Sequence, residues 1–229
     1  IHKAVQGFDE DHIVLSFSGG KDSTATADVV IKALGNPSLV HIFGNTTLEF
    51  PLTYRYAERY RDNHPLAIFK IAKNREQDFY EVCEDIGPPA RMMRWCCSMF
   101  KTGPITRVLN SLFKDQNILT FYGIRKSESV SRSKYNRIED DAESVKIQQQ
   151  TVASPIFFWK DLDIWLYILA EKIDFNENIR GSKDSYEGLY DDLDKIMEER
   201  INAYNKVEED SSEKSYQQKL MNKMFDRDK

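Results

Sequence analysis

Four short apolar runs punctuate the first half of the chain, each parted from the next by a stretch that is helical or mixed in character. They are HIVLSF (12–17), LVHIFGN (39–45), LAIFKIA (66–72) and NILTFYGIR (117–125). Each is too short for a buried helix and reads as a strand, and the first two read as buried strands. Between them, residues 23–34 carry Ala25, Val29, Val30 and Ala33 at helical spacing. Residues 51–63 open on Pro51, a favoured first helical position. Residues 75–87 form a third helical stretch, stopped by Gly87, Pro88 and Pro89. Strands that alternate with helices need right-handed crossovers. The expectation is an α/β fold with a doubly wound, mostly parallel, Rossmann-like sheet, contained in residues 1–175.

The pattern changes beyond residue 130. SKYNRIEDDAESVKIQQQ is polar and reads as irregular chain or a β-excursion, and residues 160–173 carry the helical period behind an aromatic entry. Residues 176–229 are charge-rich, with an amphipathic stretch at 189–210, and are expected to form a helical extension suited to an oligomer or complex partner. The formal charge of −5 excludes a uniformly basic nucleic-acid binder, though not a local basic patch. No apolar run has the length of a membrane span and no secretory-signal pattern opens the sequence. Of the three cysteines, Cys96 and Cys97 are adjacent, a poor start for a disulfide framework. No membrane association and a cytoplasmic location are the expectations.

The first strand runs into the helix through SFSGGKDST (16–24). A Walker A loop would place Ser or Thr after Gly20-Lys21 and Gly five residues before Gly20; here Asp22 and Leu15 stand there. The physics is related all the same. Gly19 and Gly20 let backbone N–H groups turn inward, the helix offers its N-terminus to an anion, Ser18 and Ser23 add hydroxyls, and Lys21 adds charge. Such a turn suits a pyrophosphate; the competing reading is a tight turn with Asp22 or Ser23 as helix cap. After the fourth strand, Arg125 and Arg132 present planar forks that suit phosphate or sulfate oxygens, while Lys126 and Lys134 read as solvated loop charges. Trp95, Trp159 and Trp165 read as core packing rather than base-stacking platforms. The Cys96–Cys97 pair does not have zinc-ligand spacing.

SGGKDS (18–23) resembles the phosphate loop of the adenine nucleotide alpha-hydrolase-like superfamily, the PP-loop or N-type ATP pyrophosphatases. Four more segments are similar to its phosphoadenosine phosphosulfate (PAPS) reductase-like branch: FGNTTLEFPLTYRY (43–56), RWCCSMFKTGPI (94–105), GIRKSESVSR (123–132) and SPIFFWKDLDIWLYI (154–168). The resemblance covers about three-quarters of the chain. It implies that Ser16, Phe17, Ser18, Gly19, Gly20, Lys21, Asp22 and Ser23 line an adenine nucleotide, with Asn45, Thr46 and Glu49 on its other side. It makes Gly123, Arg125 and Arg132 substrate-facing and assigns catalysis to Lys21, Asp22 and Arg125. The family more often has Asp at the position of Asn45, and a plain turn is an equal reading there. The implied chemistry is cleavage of Mg-bound ATP between its α- and β-phosphates, giving AMP and pyrophosphate. A sulfur-donor protein such as a cysteine desulfurase and a nucleic-acid acceptor are implied partners, as in DNA-phosphorothioation ATP pyrophosphatases. Iron–sulfur members pair the position of Cys96 and Cys97 with a later Cys-x-x-Cys; here that ligand set is incomplete. Two other readings stay open: a PAPS or adenosine phosphosulfate reductase, and a non-catalytic nucleotide-binding subunit.

Overall fold

The computed structural model describes residues 1–114, 116–140 and 150–178. Among these residues six strands form one sheet: β1 (Ile13–Phe17), β2 (Val40–Asn45), β3 (Ile68–Lys73), β4 (Ile118–Phe121), β5 (Ile138–Asp140) and β6 (Gln150–Ala153). Their spatial order is β3-β2-β1-β4-β6-β5, parallel except for β5, which runs antiparallel to β6. The doubly wound, mostly parallel sheet expected from the sequence is therefore present. Its winding direction reverses at β1, which pairs with β2 on one side and β4 on the other. In open α/β sheets ligands bind at the carboxyl ends of the strands flanking such a reversal.

The helices are α1 (Lys21–Leu34), α2 (Pro51–Asn63), α3 (Phe79–Ile86), α4 (Trp95–Cys97), α5 (Gly103–Leu112) and α6 (Asp161–Ala170). Side chains of β1 alternate between two cores. Ile13, Leu15 and Phe17 face Ala27 and Val30 of α1 and Tyr56, Ala57 and Tyr60 of α2. Val14 joins Val40, Ile42 and Ala72 against Leu109 of α5 and Phe113 just beyond it. A third cluster, Ala25, Ile156, Ile164 and Ile168, fixes α6 on α1.

The structure departs from the sequence reading in several places. The stretch read as irregular chain or a β-excursion holds β5 and ends on the first residue of β6, which pairs with β4 over its whole length. Its Gln150 is buried and donates from Nε2 to Thr120 Oγ1 at 2.7 Å, so a buried polar pair stands where an apolar one would have been legible. β3, read from the sequence simply as a strand, is the sheet edge, and Ile68 and Ile71 are exposed. The fourth strand stops at Phe121, four residues short of its expected end. The third helical stretch starts only at Phe79, where the Asp78 carboxylate accepts from the N–H groups of Tyr80 and Glu81, both at 2.9 Å. The unassigned segment after Pro89 winds through α4 and a π-helical turn, Ser98–Thr102, into α5. A Cβ at Gly103 would lie 2.5 Å from the Ser98 carbonyl oxygen, which restricts that junction to glycine. The expected helical extension from residue 179 onward lies outside the described residues, whereas residues 174–178 pack on α2.

Candidate nucleotide-binding site

The turn from β1 into α1 is shaped by its glycines. Gly19 has φ +72°, and a Cβ there would press on Thr53 Cγ2 at 3.3 Å, so both conformation and space favour glycine. Ser23 ties the turn together: its Oγ donates to the Gly20 carbonyl at 2.9 Å, accepts from the Ser18 N–H at 3.2 Å, and lies 3.1 Å from Ser18 Oγ. The Gly20 N–H donates to Ser18 Oγ at 3.4 Å. The first intrahelical bond is Thr24 N–H to the Gly20 carbonyl, and no side chain caps the helix start. The N–H groups ahead of Thr24 thus keep the positive end of α1 available to an anion. The competing reading, in which Asp22 or Ser23 caps α1, is not what is found.

The chain beyond β4 closes on this turn. A Cβ at Gly123 would lie 2.7 Å from the Asp22 carbonyl carbon and 2.8 Å from the Ser23 nitrogen, so the backbone at 123 rests directly on the first turn of α1. That contact delivers Arg125, two residues on, to the helix start. Arg125 is buried, its side chain 7% exposed. Its Nη2 is 3.3 Å from Asp22 Oδ2 and 3.0 Å from Asp161 Oδ1. Lys21 Nζ reaches the same Asp161 Oδ1 at 3.0 Å and Asp22 Oδ2 at 3.7 Å. One carboxylate oxygen therefore receives two cations.

Asp22 is held in a different balance. Burial raises its carboxyl pKa above the ordinary value, outweighing the opposing pull of Lys21 and Arg125. Arg125 Nε and Asp22 Oδ1 lie 3.0 Å apart but are not aligned for a hydrogen bond, and both atoms are buried without another partner. Charge attraction without a hydrogen bond leaves Asp22 Oδ1 with unused capacity as a ligand. A Mg²⁺ ion that comes with a nucleotide needs only one or two carboxylates besides phosphate oxygens, so this oxygen fits that role. A four-iron cluster does not fit the described residues. Cys96 and Cys97 sit half-buried on α4 with Arg94 Nη2 3.6 Å from Cys97 Sγ, and no cluster of three or more His, Cys, Asp or Glu occurs among the described residues.

The other residues singled out from the sequence fall into two groups. Ser16 is a half-buried member of β1, one residue short of its carboxyl end. The Phe17 ring stacks on Tyr60 at 4.2 Å inside the core, which leaves its backbone at the turn. Asn45 Oδ1 accepts from the Thr47 N–H at 2.9 Å and from the Tyr54 hydroxyl at 3.0 Å, and Thr46 Oγ1 donates to Glu49 at 2.8 Å. These bonds tie the loop after β2 to itself and to α2. Thr47 takes φ +66°, rare for a β-branched residue, and its Oγ1 accepts from the Phe79 N–H at 2.8 Å. Arg132 does not join the cation pair: it is ion-paired to Glu128, whose Oε2 also accepts from the Arg125 N–H at 3.2 Å.

Two features were missed in the sequence. Asp161 lies inside the SPIFFWKDLDIWLYI segment (154–168) but was not singled out there, and it proves to be a partner of Lys21 and Arg125. Thr53, beside Gly19, accepts from Asn176 Nδ2 at 2.9 Å and Asn178 Nδ2 at 3.3 Å, so the segment after α6 braces the turn from β1 into α1 through α2. Among the described residues no helix is long and apolar enough to cross a membrane.

Comparison with known proteins bears on the family and the fold. The profile of the phosphoadenosine phosphosulfate reductase domain matches residues 12–179. An uncharacterized protein of Methanocaldococcus jannaschii is 36% identical over 165 residues, 72% of this chain and 33% of that protein. The adenosine 5'-phosphosulfate reductase of Staphylococcus epidermidis is 27% identical over 172 residues, 73% of this chain and 65% of the reductase. The chain thus spans about a third of the archaeal relative's length and just under two thirds of the reductase's. Among solved structures, phosphoadenylyl-sulfate reductase from Candida auris superposes with a TM-score of 0.58 at 19% identity, covering 79% of this chain and 82% of that one, a likeness of fold.

Proposed function

The chain belongs to the phosphoadenosine phosphosulfate reductase domain family, and on that premise we propose that it binds ATP and cleaves it between the α- and β-phosphates. The observation that carries this reading is the convergence of Lys21 and Arg125 on one oxygen beside the uncapped start of α1. Two recessed cations next to free N–H groups form a fixed positive environment for a polyphosphate. Preorganised donors of this kind stabilise charge that builds on a leaving group. In the proposed reaction an acceptor nucleophile attacks the α-phosphorus, the bond to the α,β-bridging oxygen breaks, and pyrophosphate leaves with the electron pair. Lys21 and Arg125 hold the departing pyrophosphate, and the Ser18–Ser23 turn orients it. Mg²⁺, when bound with ATP, would be held at Asp22 and would offset negative charge on the phosphates. The terminal sulfur of a persulfide on a donor such as a cysteine desulfurase would then attack the adenylylated acceptor, AMP would leave, and a second thiol would cleave the remaining S–S bond to leave sulfur on the acceptor; a small molecule or a nucleic acid would serve as acceptor.

A second reading is reduction of a sulfonucleotide, favoured by the names of the reductases to which the chain is similar. That reaction needs a nucleophilic cysteine, and the Lys21-Asp22 pair has no evident use in it, whereas both residues have a use in ATP cleavage. Product analysis separates the two. The protein is incubated with ATP and Mg²⁺, and separately with adenosine phosphosulfate or its 3'-phosphorylated form plus reduced thioredoxin. AMP and pyrophosphate formed by the wild type, with water standing in for the acceptor as nucleophile, and abolished in Lys21→Ala are the expected result. Sulfite release without ATP cleavage would replace this reading with the second. Nucleotide binding with neither product would point to a non-catalytic subunit.

A further inference from the structure

We propose that Asp161 is a built-in competitor for the phosphate site: its carboxylate occupies the place of a phosphate oxygen in the free protein, and a bound nucleotide must displace it. The inference rests on the reading of the Lys21–Arg125 pair as the polyphosphate site and adds a residue that governs its affinity.

Three observations support it. First, the coordination is that of a phosphate oxygen. Lys21 Nζ and Arg125 Nη2 both lie 3.0 Å from Asp161 Oδ1, and a shared anionic oxygen is what paired cations at a phosphate site hold. Second, Asp161 is the outermost member of the cluster. Its side chain is 52% exposed, against 18% for Lys21, 18% for Asp22 and 7% for Arg125. An incoming anion can therefore turn Asp161 out into water without opening the core, which is not true of Asp22. Third, the hydrogen bond that closes the start of α6 does not depend on Asp161. The start of α6 is closed by Asp163, whose Oδ2 accepts the Lys160 N–H at 2.8 Å, so α6 keeps that bond when Asp161 swings away.

Charge arithmetic gives the consequence. Lys21 and Arg125 are balanced by Asp22 and Asp161, so the closed cluster is neutral. Displacing Asp161 into solvent exposes one net positive charge to the ligand. Asp161 thereby lowers affinity for every anion, and a multiply charged polyphosphate repays the exchange better than a singly charged anion does.

Binding of inorganic pyrophosphate and of ATP, measured by calorimetry in EDTA for wild type, Asp161→Asn and Asp161→Ser, tests the proposal. Both variants are expected to bind both ligands roughly tenfold more tightly than wild type, the scale of two partly exposed ion pairs. Their ligand-free melting temperature is expected to fall, since the cations lose a partner. A purely structural role would lower affinity and melting temperature together; opposite movement of the two is the signature of a competitor. Equal or weaker binding by the variants, with ATP still bound by the wild type, overturns the proposal and leaves the nucleotide reading intact. No binding of either ligand by any of the three proteins overturns both.

Discussion

At the scale of single residues, the site depends on places where a side chain must be absent as much as on those where it must be present. Gly123 is the clearest case. Its backbone rests on the first turn of α1, with a hypothetical Cβ only 2.7 to 2.8 Å from backbone atoms of Asp22 and Ser23. Those atoms belong to a helix and cannot move aside as a flexible side chain would. Gly123→Ala is therefore expected to cost about 2 kcal/mol or more of stability, as forced backbone shifts do, and to weaken ATP binding by displacing the start of α1. Urea denaturation and calorimetry check the two effects; wild-type behaviour in both would show that the contact is looser than described. Lys21, Asp22 and Arg125, which the family motifs single out, lie within ion-pair distance of one another through Asp22. Asp161 was not legible, because an acidic residue in a helix first turn is favoured by the helix dipole whatever else it touches.

At the scale of elements, β2 and α2 are joined by a buried polar link. His41 lies on β2 with Nδ1 2.9 Å from the Leu39 carbonyl and Nε2 3.2 Å from the Tyr60 hydroxyl on α2. Nδ1 therefore carries the proton and donates, while Nε2 accepts. Burial lowers the His41 pKa from 6.5 to about 4. The unfolded chain then binds more protons than the folded one between those values, so stability falls as pH drops through that window. The loss between pH 7 and pH 5 from this residue is about 2 kcal/mol. Urea midpoints measured at the two pH values should show it, and His41→Gln should flatten the difference; an unchanged difference would mean that other groups carry the acid sensitivity. Element legibility followed the same physics. The buried strands β1 and β2 were readable because both faces are apolar. β6 was unreadable because Gln150 and Thr120 satisfy each other inside the sheet. The π turn before α5 was unreadable because its condition, a carbonyl pressed against Gly103, is a matter of three-dimensional contact.

At the scale of the molecule, the winding of the sheet brings separate parts of the chain to one point. The turn after β1, the loop after β4 and the start of α6 meet where the strand order reverses, and residues 174–178 brace the turn from behind through Thr53 and a bidentate Arg59–Asp174 pair at 2.6 and 3.0 Å. A chain with a formal charge of −5 thus keeps a local pair of cations at its reversal point. The order of the sequence motifs made this fold legible, since strand, turn and helix recur with the spacing of right-handed crossovers. The closed, charge-neutral state of the site was not legible, because it depends on a fourth group that reaches in from α6. The central claim is that Lys21 and the turn around it hold the polyphosphate of an adenine nucleotide. Calorimetric titration of ATP with Mg²⁺ into wild type and Lys21→Met tests it most directly. The account predicts saturable one-to-one binding by the wild type and a loss of roughly 10- to 100-fold in the variant, the weight of a charge-assisted contact. Equal affinity in the two proteins would contradict it.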